Sequence, residues 1–470
     1  MVFSSLAFLI VFLPLLAILF FMIPARRKHA RQYLLLLASL LFYGAGEPLY
    51  ILLILASTST TWFLSSRVSS KRRSALVLAI LVNLLPLILT KYAGSLLRGT
   101  GLLFGVPGAG IPEIAMPIGI SFYTFQAITY IVDLYEGRIA RQRDPLLFAL
   151  YIMFFPQLVA GPIVKYSEIE KELETPDVSW ERIRYGSGRF IIGLGKKVLI
   201  ANQAGYIASA ILRCAPNSVT TGMAWLCVAA YTVQIYFDFS GYSDMAIGLG
   251  SIFGFHFPEN FQDPYTSRSV TDFWRRWHIT LGRFFREYVY IPLGGNRVAK
   301  PRWILNILLV WALTGLWHGA SWNFVLWGIY YGFLVLIEKI TGIGDKLPKV
   351  IGWALTLFFV MLGWGIFMCD GVPLSRMFGF LGKLFFVNGR AAVPVSVGSL
   401  RLWGYMPFLM IGFMVASPFG VAVKNRVIRC LHNDDPWTGA LADLLLIAVL
   451  LASLLFLIGG SCNPFLYFRF

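Results

Sequence analysis

Two of the five histidines in this 470-residue chain lie in sequence where an ionisable side chain is costly. His318 ends the apolar run 303–317, and His278 is surrounded by aromatic residues. An ionisable group placed within a membrane is by default a candidate for a functional site. Because burial disfavours the imidazolium form, His318 is expected to be neutral and able to accept a proton. Such a base can activate a hydroxyl for acyl transfer, whereas the structural alternative is a hydrogen bond between helices.

His278 lies in the segment 272–290, whose apolar and basic residues recur with a helical period. One predicted face carries Trp274, Trp277, His278, Leu281, Phe284, Phe285 and Tyr288, and the opposite face carries Arg275, Arg276, Arg283 and Arg286. This pattern predicts one amphipathic helix near a membrane boundary. The arginines suit either an anionic substrate or a solvated face that sets topology. For His278, the alternative to a chemical role is a hydrogen-bonded histidine in an anchor helix.

A third group of polar residues interrupts the apolar segment 231–250. Its members are Gln234, Asp238, Ser240, Tyr242, Ser243 and Asp244. Inside a membrane these side chains need partners within the protein or in a wet cavity. They can orient an imidazole, line a tunnel or coordinate an ion, and their spacing does not distinguish among these roles.

The sequence contains no motif typical of a soluble hydrolase, a nucleotide-binding fold or a metal site. Residues 241–245 lack the second glycine of a G-x-S-x-G elbow, and no HExxH occurs. The five cysteines include no CxxC pair, so neither a disulfide framework nor a structural zinc site is indicated. We therefore expect no metal and no permanently bound cofactor.

The composition indicates that membrane helices position these groups. Hydrophobic residues make up 57% of the chain and charged residues 13%, with a mean hydropathy of +0.70. A soluble domain is about 25% charged, and so apolar a chain does not stay disordered in water. The net charge of +17 comes from short basic clusters between apolar runs. That arrangement is typical of membrane topology rather than of a nucleic-acid-binding face, so no nucleic-acid partner is expected.

About eleven apolar segments are expected to cross the bilayer, since a span needs about 20 residues. The candidates are 3–23, 32–45, 48–66, 75–90, 116–136, 145–164, 189–212, 222–254, 303–318, 321–340, 350–369, 404–423 and 440–460. Segment 222–254 is long enough to bend or to form two pieces. Basic clusters at 26–31, 67–73 and 138–143 predict three cytoplasmic loops. In the absence of repeats and linkers, residues 1–470 are predicted to form a single all-α membrane domain.

Segments spread in order through most of the chain resemble the membrane-bound O-acyltransferases, and within them the alginate O-acetylation branch. The matching segments are 117–137, 154–163, 193–202, 237–265, 273–295, 313–328 and 463–470. The resemblance implies a ring of about eleven tilted transmembrane helices, with re-entrant or in-plane helices, around a central tunnel. It also implies that two motif histidines are catalytic, His318 in Trp-His-Gly and His278 in Arg-Trp-His.

The resemblance further implies the reaction and its setting. A membrane O-acetyltransferase of this branch takes acetyl from a cytoplasmic donor, acetyl-CoA, and passes it across the membrane for O-acetylation of an exported polysaccharide such as alginate. A multi-pass protein of the bacterial inner membrane is expected, with an extracytoplasmic or periplasmic acetyltransferase as partner. The alternatives are transfer of D-alanine or another acyl group to a cell-wall or secreted glycan, and transport of a glycan or ion without chemistry.

This reaction assigns expected roles to particular residues. His318 is the base or a transient acyl acceptor, and His278 orients or polarises the donor thioester. The phosphates of the donor are anionic, and the candidates for binding it are Arg275, Arg276, Trp277 and Arg283. The candidates for lining the tunnel are Asp238, Tyr242 and Trp317. Tyr467, in the aromatic C-terminal run, is either an acyl relay or an anchor at the membrane boundary.

Overall fold

The computed structural model describes residues 1–69, 72–103, 116–386, 394–431 and 436–460. Throughout these ranges, helices are joined by turns and short loops, and no strand occurs in them. The all-α prediction is confirmed. The apolar composition accounts for this fold class, because a helix satisfies its own backbone hydrogen bonds when the surrounding solvent is lipid.

The helices of the described residues have the following bounds. The first ten are α1 (Leu13–Met22), α2 (Lys28–Gly44), α3 (Ile51–Ser65), α4 (Arg73–Leu103), α5 (Ile120–Tyr135), α6 (Pro145–Met153), α7 (Phe155–Leu158), α8 (Tyr166–Glu174), α9 (Trp180–Gly195) and α10 (Asn202–Leu212). The others are α11 (Thr221–Ile252), α12 (Val270–Arg276), α13 (Ile279–Phe285), α14 (Lys300–His318), α15 (Trp322–Thr341), α16 (Ile343–Lys346), α17 (Lys349–Phe367), α18 (Leu374–Leu384), α19 (Met406–Ala416), α20 (Pro418–Leu431) and α21 (Pro436–Ile458). Short π-helical stretches occur at Ala7–Phe12, Lys196–Ala201 and Arg286–Tyr290.

The first of two compact units comprises residues 1–190 and 243–259. Its core contains a cluster of phenylalanine rings contributed by the N-terminus, α2 and α7. The centroids of Phe3, Phe8, Phe42 and Phe155 lie 5.1 to 6.3 Å apart. Aromatic pairs of this geometry contribute about 0.5–1.5 kcal/mol each beyond the area that they bury. The cluster therefore ties the start of the chain to α2 and α7.

The predicted span 145–164 is wrong as a single helix. Asp144 caps the start of α6 by accepting a hydrogen bond from the Leu146 N–H at 2.8 Å. The helix ends at Met153, and α7 begins at Phe155 after one non-helical residue, Phe154. Pro156 explains the interruption, because proline is tolerated in the first turn of a helix but not in its interior.

The second unit comprises residues 191–242 and 260–470, and it contains both candidate histidines. Its helices α14 and α15 pack backbone to backbone. A Cβ atom added at Gly315 would lie 2.3 Å from the Phe324 carbonyl oxygen, and one added at Gly328 would lie 2.3 Å from the Trp311 carbonyl oxygen. Glycine at these positions allows the close approach that is typical of membrane helix pairs. The close packing of α14 against α15 therefore fixes the position of His318, which is the last residue of α14.

Two further candidate spans are settled by the structure. The segment 222–254 forms the single helix α11 of 32 residues, about 48 Å long at 1.5 Å per residue. The alternative of two pieces is therefore wrong. The candidate 404–423 is broken instead, because its two helical parts bend by 73° at Ser417.

Several of the described helices are suited to crossing a membrane, which confirms a multi-pass membrane protein. Four helices are long and apolar enough, and a fifth is added if the bent pair counts as one span. The four are Arg73–Gly94, Trp322–Thr341, Lys349–Phe367 and Gly439–Ile458. The count of about eleven spans stays a prediction.

Candidate active site

The segment around His278 is two helices rather than the one amphipathic helix that the periodicity predicts. The helix α12 ends at Arg276, and α13 begins at Ile279. Between them, Trp277 is extended at φ −97° and ψ 128°, and His278 is left-handed at φ 45° and ψ 54°. A left-handed conformation is uncommon for any residue other than glycine. The surroundings must therefore hold His278 in place.

A neighbouring stretch supplies the hydrogen bonds that the break removes. The N–H of Gln262 donates to the Arg276 carbonyl at 3.0 Å, and the N–H of Ile279 donates to the Asn260 carbonyl at 3.0 Å. The side-chain oxygen of Asn260 lies 3.0 Å from Nδ1 of His278. The same oxygen accepts from the backbone N–H and the hydroxyl of Thr280, at 3.3 and 2.9 Å. Residues 260–262 thus stabilise the interrupted helix.

The imidazole of His278 is buried among aromatic rings and borders a cavity. The side chain is 2% exposed, and the ring of Phe239 meets it edge-on at 4.7 Å between centroids. The cavity has a volume of about 310 Å³ and includes Trp274, Trp277 and Trp311 in its wall. His278 lies outside the helices suited to spanning, and burial lowers the pKa of its imidazole from 6.5 to about 3. The ring is therefore neutral at physiological pH.

His318 occupies an aromatic cage at the end of α14. Its side chain is 5% exposed. The rings of Trp327 and Phe367 meet it edge-on, with centroids at 5.1 and 5.0 Å. Gly319 follows directly, and a Cβ atom there would lie 2.5 Å from the Phe324 ring. Only glycine leaves room for that ring, which accounts for the glycine of the Trp-His-Gly motif.

Trp317 contacts both candidate histidines. Its ring centroid lies 4.7 Å from that of His318 and 6.0 Å from that of His278. The tryptophan is 7% exposed. The structure therefore brings the two histidines to one region of the second unit, where both contact the same buried indole.

The predicted donor-binding residues do not share a cavity. Trp277 borders the His278 cavity, whereas Arg275 and Arg276 border a larger one of about 1020 Å³. Arg276 also pairs with Asp272, at 3.1 Å between its Nε and a carboxylate oxygen. Arg283 borders neither of these cavities. The helical pattern already places Arg275, Arg276 and Arg283 on the face opposite Trp277, which directs these side chains away from the cavity that Trp277 borders.

The sequence predicts Arg286 among the arginines that suit an anionic substrate, but sequence reasoning missed the cations that line the same cavity beside it, Arg297, Lys300 and Lys339. A cavity of about 980 Å³ is lined by Arg286, Arg297, Lys300 and Lys339, and its wall contains no aspartate or glutamate. Arg286, Tyr290 and Lys339 also border the His278 cavity. The sequence contains this signal as the basic stretch 297–302. The positive-inside rule already explains such a stretch without any ligand, so the sequence alone offered no reason to assign it to a site.

Two aspartates of the polar group in α11, Asp238 and Asp244, form ion pairs. Asp238 pairs with Lys197 at 2.5 Å, and both side chains are 2% exposed. Tyr242 is buried at 3% exposure. Asp238 and Tyr242 border none of the three cavities described above.

Within the first unit, Asp244 pairs with Arg189, which also binds Glu259. In the part of the chain that the structure covers, no three His, Cys, Asp or Glu side chains come together as metal ligands. Tyr467 lies outside the described residues.

Comparison with known proteins relates this geometry to acyl transfer. Residues 138–378 match the family model of MBOAT, the membrane-bound O-acyltransferase family. A probable alginate O-acetylase of Azotobacter vinelandii is 37% identical over 100% of both chains. A peptidoglycan O-acetyltransferase of Helicobacter pylori is 33% identical over 85% of this chain and 83% of its own. A teichoic acid D-alanyltransferase of Bacillus subtilis is 28% identical over 55% of this chain and 70% of its own.

Proposed function

Because the chain belongs to the membrane-bound O-acyltransferase family and is a membrane acyltransferase that serves polysaccharide modification, we propose that it takes acetyl from acetyl-CoA. The donor binds on the cytoplasmic side of the bacterial inner membrane, and the acetyl group passes across it for O-acetylation of an exported polysaccharide. The observation that carries this proposal is the junction at Arg286, Tyr290 and Lys339, three residues that line both the His278 cavity and the acid-free basic cavity.

The junction suits the two ends of a CoA thioester. Such a donor carries its reactive carbon at the end of a flexible arm and its negative charge on phosphates at the other end. Arg286, Arg297 and Lys300 offer guanidinium and ammonium groups to those phosphates. From there, the arm follows the shared wall at Tyr290 into the His278 cavity. The aromatic lining of that cavity excludes water from the thioester, which protects it from hydrolysis.

The larger cavity beside Arg275 is a weaker candidate for the phosphates. Its wall contains Asp272 and Glu338 as well as cations. Glu338 accepts hydrogen bonds from the N–H groups of Val270 and Thr271 at 2.6 and 2.7 Å, so its carboxylate is held in place at the start of α12. A fixed carboxylate repels phosphate.

We assign the central chemical role to His318. As a base, it takes the proton of the acceptor hydroxyl while the hydroxyl oxygen attacks the thioester carbonyl carbon. The carbon–sulfur bond then breaks, and the sulfur leaves as a thiolate that takes up the proton. A transient acyl group on the imidazole is the alternative route.

The relatives support the choice of acceptor and setting. A polysaccharide is named in the description of the Azotobacter vinelandii relative, which aligns over the whole chain. We propose alginate or a similar exported polysaccharide as the acceptor, and a periplasmic acetyltransferase as the partner that completes the transfer. Transfer of D-alanine is the second candidate, favoured by the similarity to the teichoic acid D-alanyltransferase. Tyr467 is proposed as either an acyl relay or a membrane anchor.

The experiment that tests the function uses purified protein in lipid nanodiscs. Acetyl-CoA labelled in the acetyl group is added together with alginate and a periplasmic alginate acetyltransferase, and both free CoA and labelled glycan are measured. His318→Gln is expected to abolish both, whereas the matched variant His256→Gln, at an exposed histidine, is expected to retain them. Release of D-alanine from a carrier-protein thioester in place of acetyl would select the second candidate. Glycan movement without release of CoA would select a transporter.

A further inference from the structure

Asn260 is hydrogen-bonded to the backbone and the ring of His278 at the same time. Its carbonyl accepts the N–H of Ile279 at 3.0 Å. Its side chain meets Nδ1 of His278 at 3.0 Å, within a pocket where Asn260 is fully buried and His278 is 2% exposed. One residue therefore sets the position of the imidazole that borders the 310 Å³ cavity.

The contacts of Asn260 determine which atom faces the ring. The backbone N–H of Thr280 points at the same side-chain atom, at 3.3 Å. A backbone N–H only donates, so this atom must be the amide oxygen and not the amide nitrogen. The hydroxyl of Thr280 lies 2.9 Å from it as well. Oδ1 is therefore fixed toward the imidazole.

An amide oxygen carries no hydrogen, and this fact assigns the proton on the ring. The hydrogen between Oδ1 of Asn260 and Nδ1 of His278 must belong to the imidazole. A neutral imidazole carries only one N–H, so its Nε2 holds a lone pair. A ring in this tautomer does not donate a hydrogen bond from Nε2 to a thioester carbonyl.

We propose that Asn260 is a positioning residue that fixes His278 as its Nδ1–H tautomer, so that Nε2 serves in acyl transfer as an acceptor of a proton or hydrogen bond. The role in acyl transfer rests on the proposed function, whereas the tautomer does not. The sequence-based expectation that His278 polarises the thioester is replaced in this proposal by acceptance at Nε2.

Two substitutions separate positioning from support of the fold. Asn260→Asp keeps an acceptor oxygen for Nδ1 and Thr280 and adds a charge that favours the imidazolium. It is expected to keep activity and to move the acid limb of the pH–rate profile to higher pH. Asn260→Leu has a similar volume and no acceptor. It is expected to lower kcat by about 10²-fold, the lower range for a lost acid–base group, with the donor KM unchanged.

Thr280→Val provides the matched control. It removes the hydroxyl that donates to the same oxygen but leaves the contact between Asn260 and His278. The wild-type pH profile is expected for this variant. Folding of every variant is checked by thermal unfolding and size-exclusion chromatography. Equal losses in folded Asn260→Asp and Asn260→Leu would overturn the positioning role.

The tautomer itself is measured by NMR on protein labelled with ¹⁵N-histidine. His278→Gln identifies the signals among the five histidines. The wild type is expected to show a protonated Nδ1 and an unprotonated Nε2 at neutral pH, and Asn260→Leu is expected to show a mixture. An Nε2–H tautomer in the wild type would overturn the proposal. If the wild type releases no CoA while the expected tautomer is observed, the proposed function fails and the tautomer assignment stands.

Discussion

Removal of charge from the acid-free basic cavity tests where the donor phosphates bind. The perturbations are Arg297→Gln and Lys300→Gln, alone and together. Both side chains are exposed and border the acid-free basic cavity, which shares lining residues with the cavity at His278. Each substitution keeps a polar side chain and removes one positive charge. The change therefore acts on the attraction for phosphate rather than on packing.

The magnitude follows from the exposure of these two cations. A hydrogen bond to a charged group is worth about 1.5–3 kcal/mol, but exposed pairs are screened by water and usually contribute about 1 kcal/mol or less. We therefore expect each single variant to raise the KM for acetyl-CoA by about fivefold, and the double variant by about 25-fold if the two free-energy effects add. The kcat should stay unchanged, because the effect is on donor binding rather than on the transition state.

The assay measures initial rates of CoA release in nanodiscs over a range of donor concentrations. S-acetylpantetheine, which lacks the nucleotide phosphates, serves as the control donor, and its KM should be the same for all variants. Arg275→Gln, in the wall of the larger cavity, is the control variant. The reasoning is refuted if Arg275→Gln raises the KM for acetyl-CoA while Arg297→Gln and Lys300→Gln leave it at the wild-type value.

Three further predictions concern stability. Lys197→Met should lower the free energy of unfolding by about 3–5 kcal/mol, because it leaves Asp238 buried without its cation; adding Asp238→Leu should restore much of the loss, and equal thermal midpoints for the single and double variants would contradict this. Gly328→Ala should destabilise the pair of helices α14 and α15 by about 1–3 kcal/mol, since its Cβ would lie 2.3 Å from the Trp311 carbonyl oxygen; an unchanged midpoint would show that the helices separate freely. The pKa of His278 is about 3 in the folded state and 6.5 when unfolded, so its contribution to the free energy of unfolding is fully present above pH 6.5 and is lost as the pH falls toward 3. His278→Gln should therefore make the free energy of unfolding decline less steeply over this range. A stability difference between His278→Gln and wild type that does not vary with pH would refute this.

The fold class could be predicted, and the two histidines could be selected as candidates, because their signals are local. A low content of charge indicates membrane helices without any knowledge of tertiary contacts. His318 and His278 stand out for the same reason, since an ionisable residue within aromatic or apolar sequence is rare. Trp317 was expected to line a tunnel; its ring contacts both histidines but borders none of the three cavities described above.

The break at His278 could not be predicted, because tertiary contacts determine it. Residues 272–290 have a regular helical period, and no glycine or proline marks the interruption. The hydrogen bonds that stabilise it come from residues 260–262, which precede the segment. Helical periodicity describes one segment at a time, so it assigned the arginines of α12 and the aromatic residues of α13 to a single helix.

The two pieces on either side of His278 have a consequence for biogenesis. The helix α12 has seven residues, and α13 continues through the π-helical stretch Arg286–Tyr290 to a total of 12 residues. The longer piece measures at most about 18 Å at 1.5 Å per residue, whereas the hydrocarbon core is about 30 Å thick. Neither piece can partition into the bilayer alone, and the exposed backbone groups of the break would be costly there without residues 260–262. We therefore expect this segment to take its place only after its neighbours have inserted. The imidazole environment would then be completed late in assembly, after the topology of the chain is established.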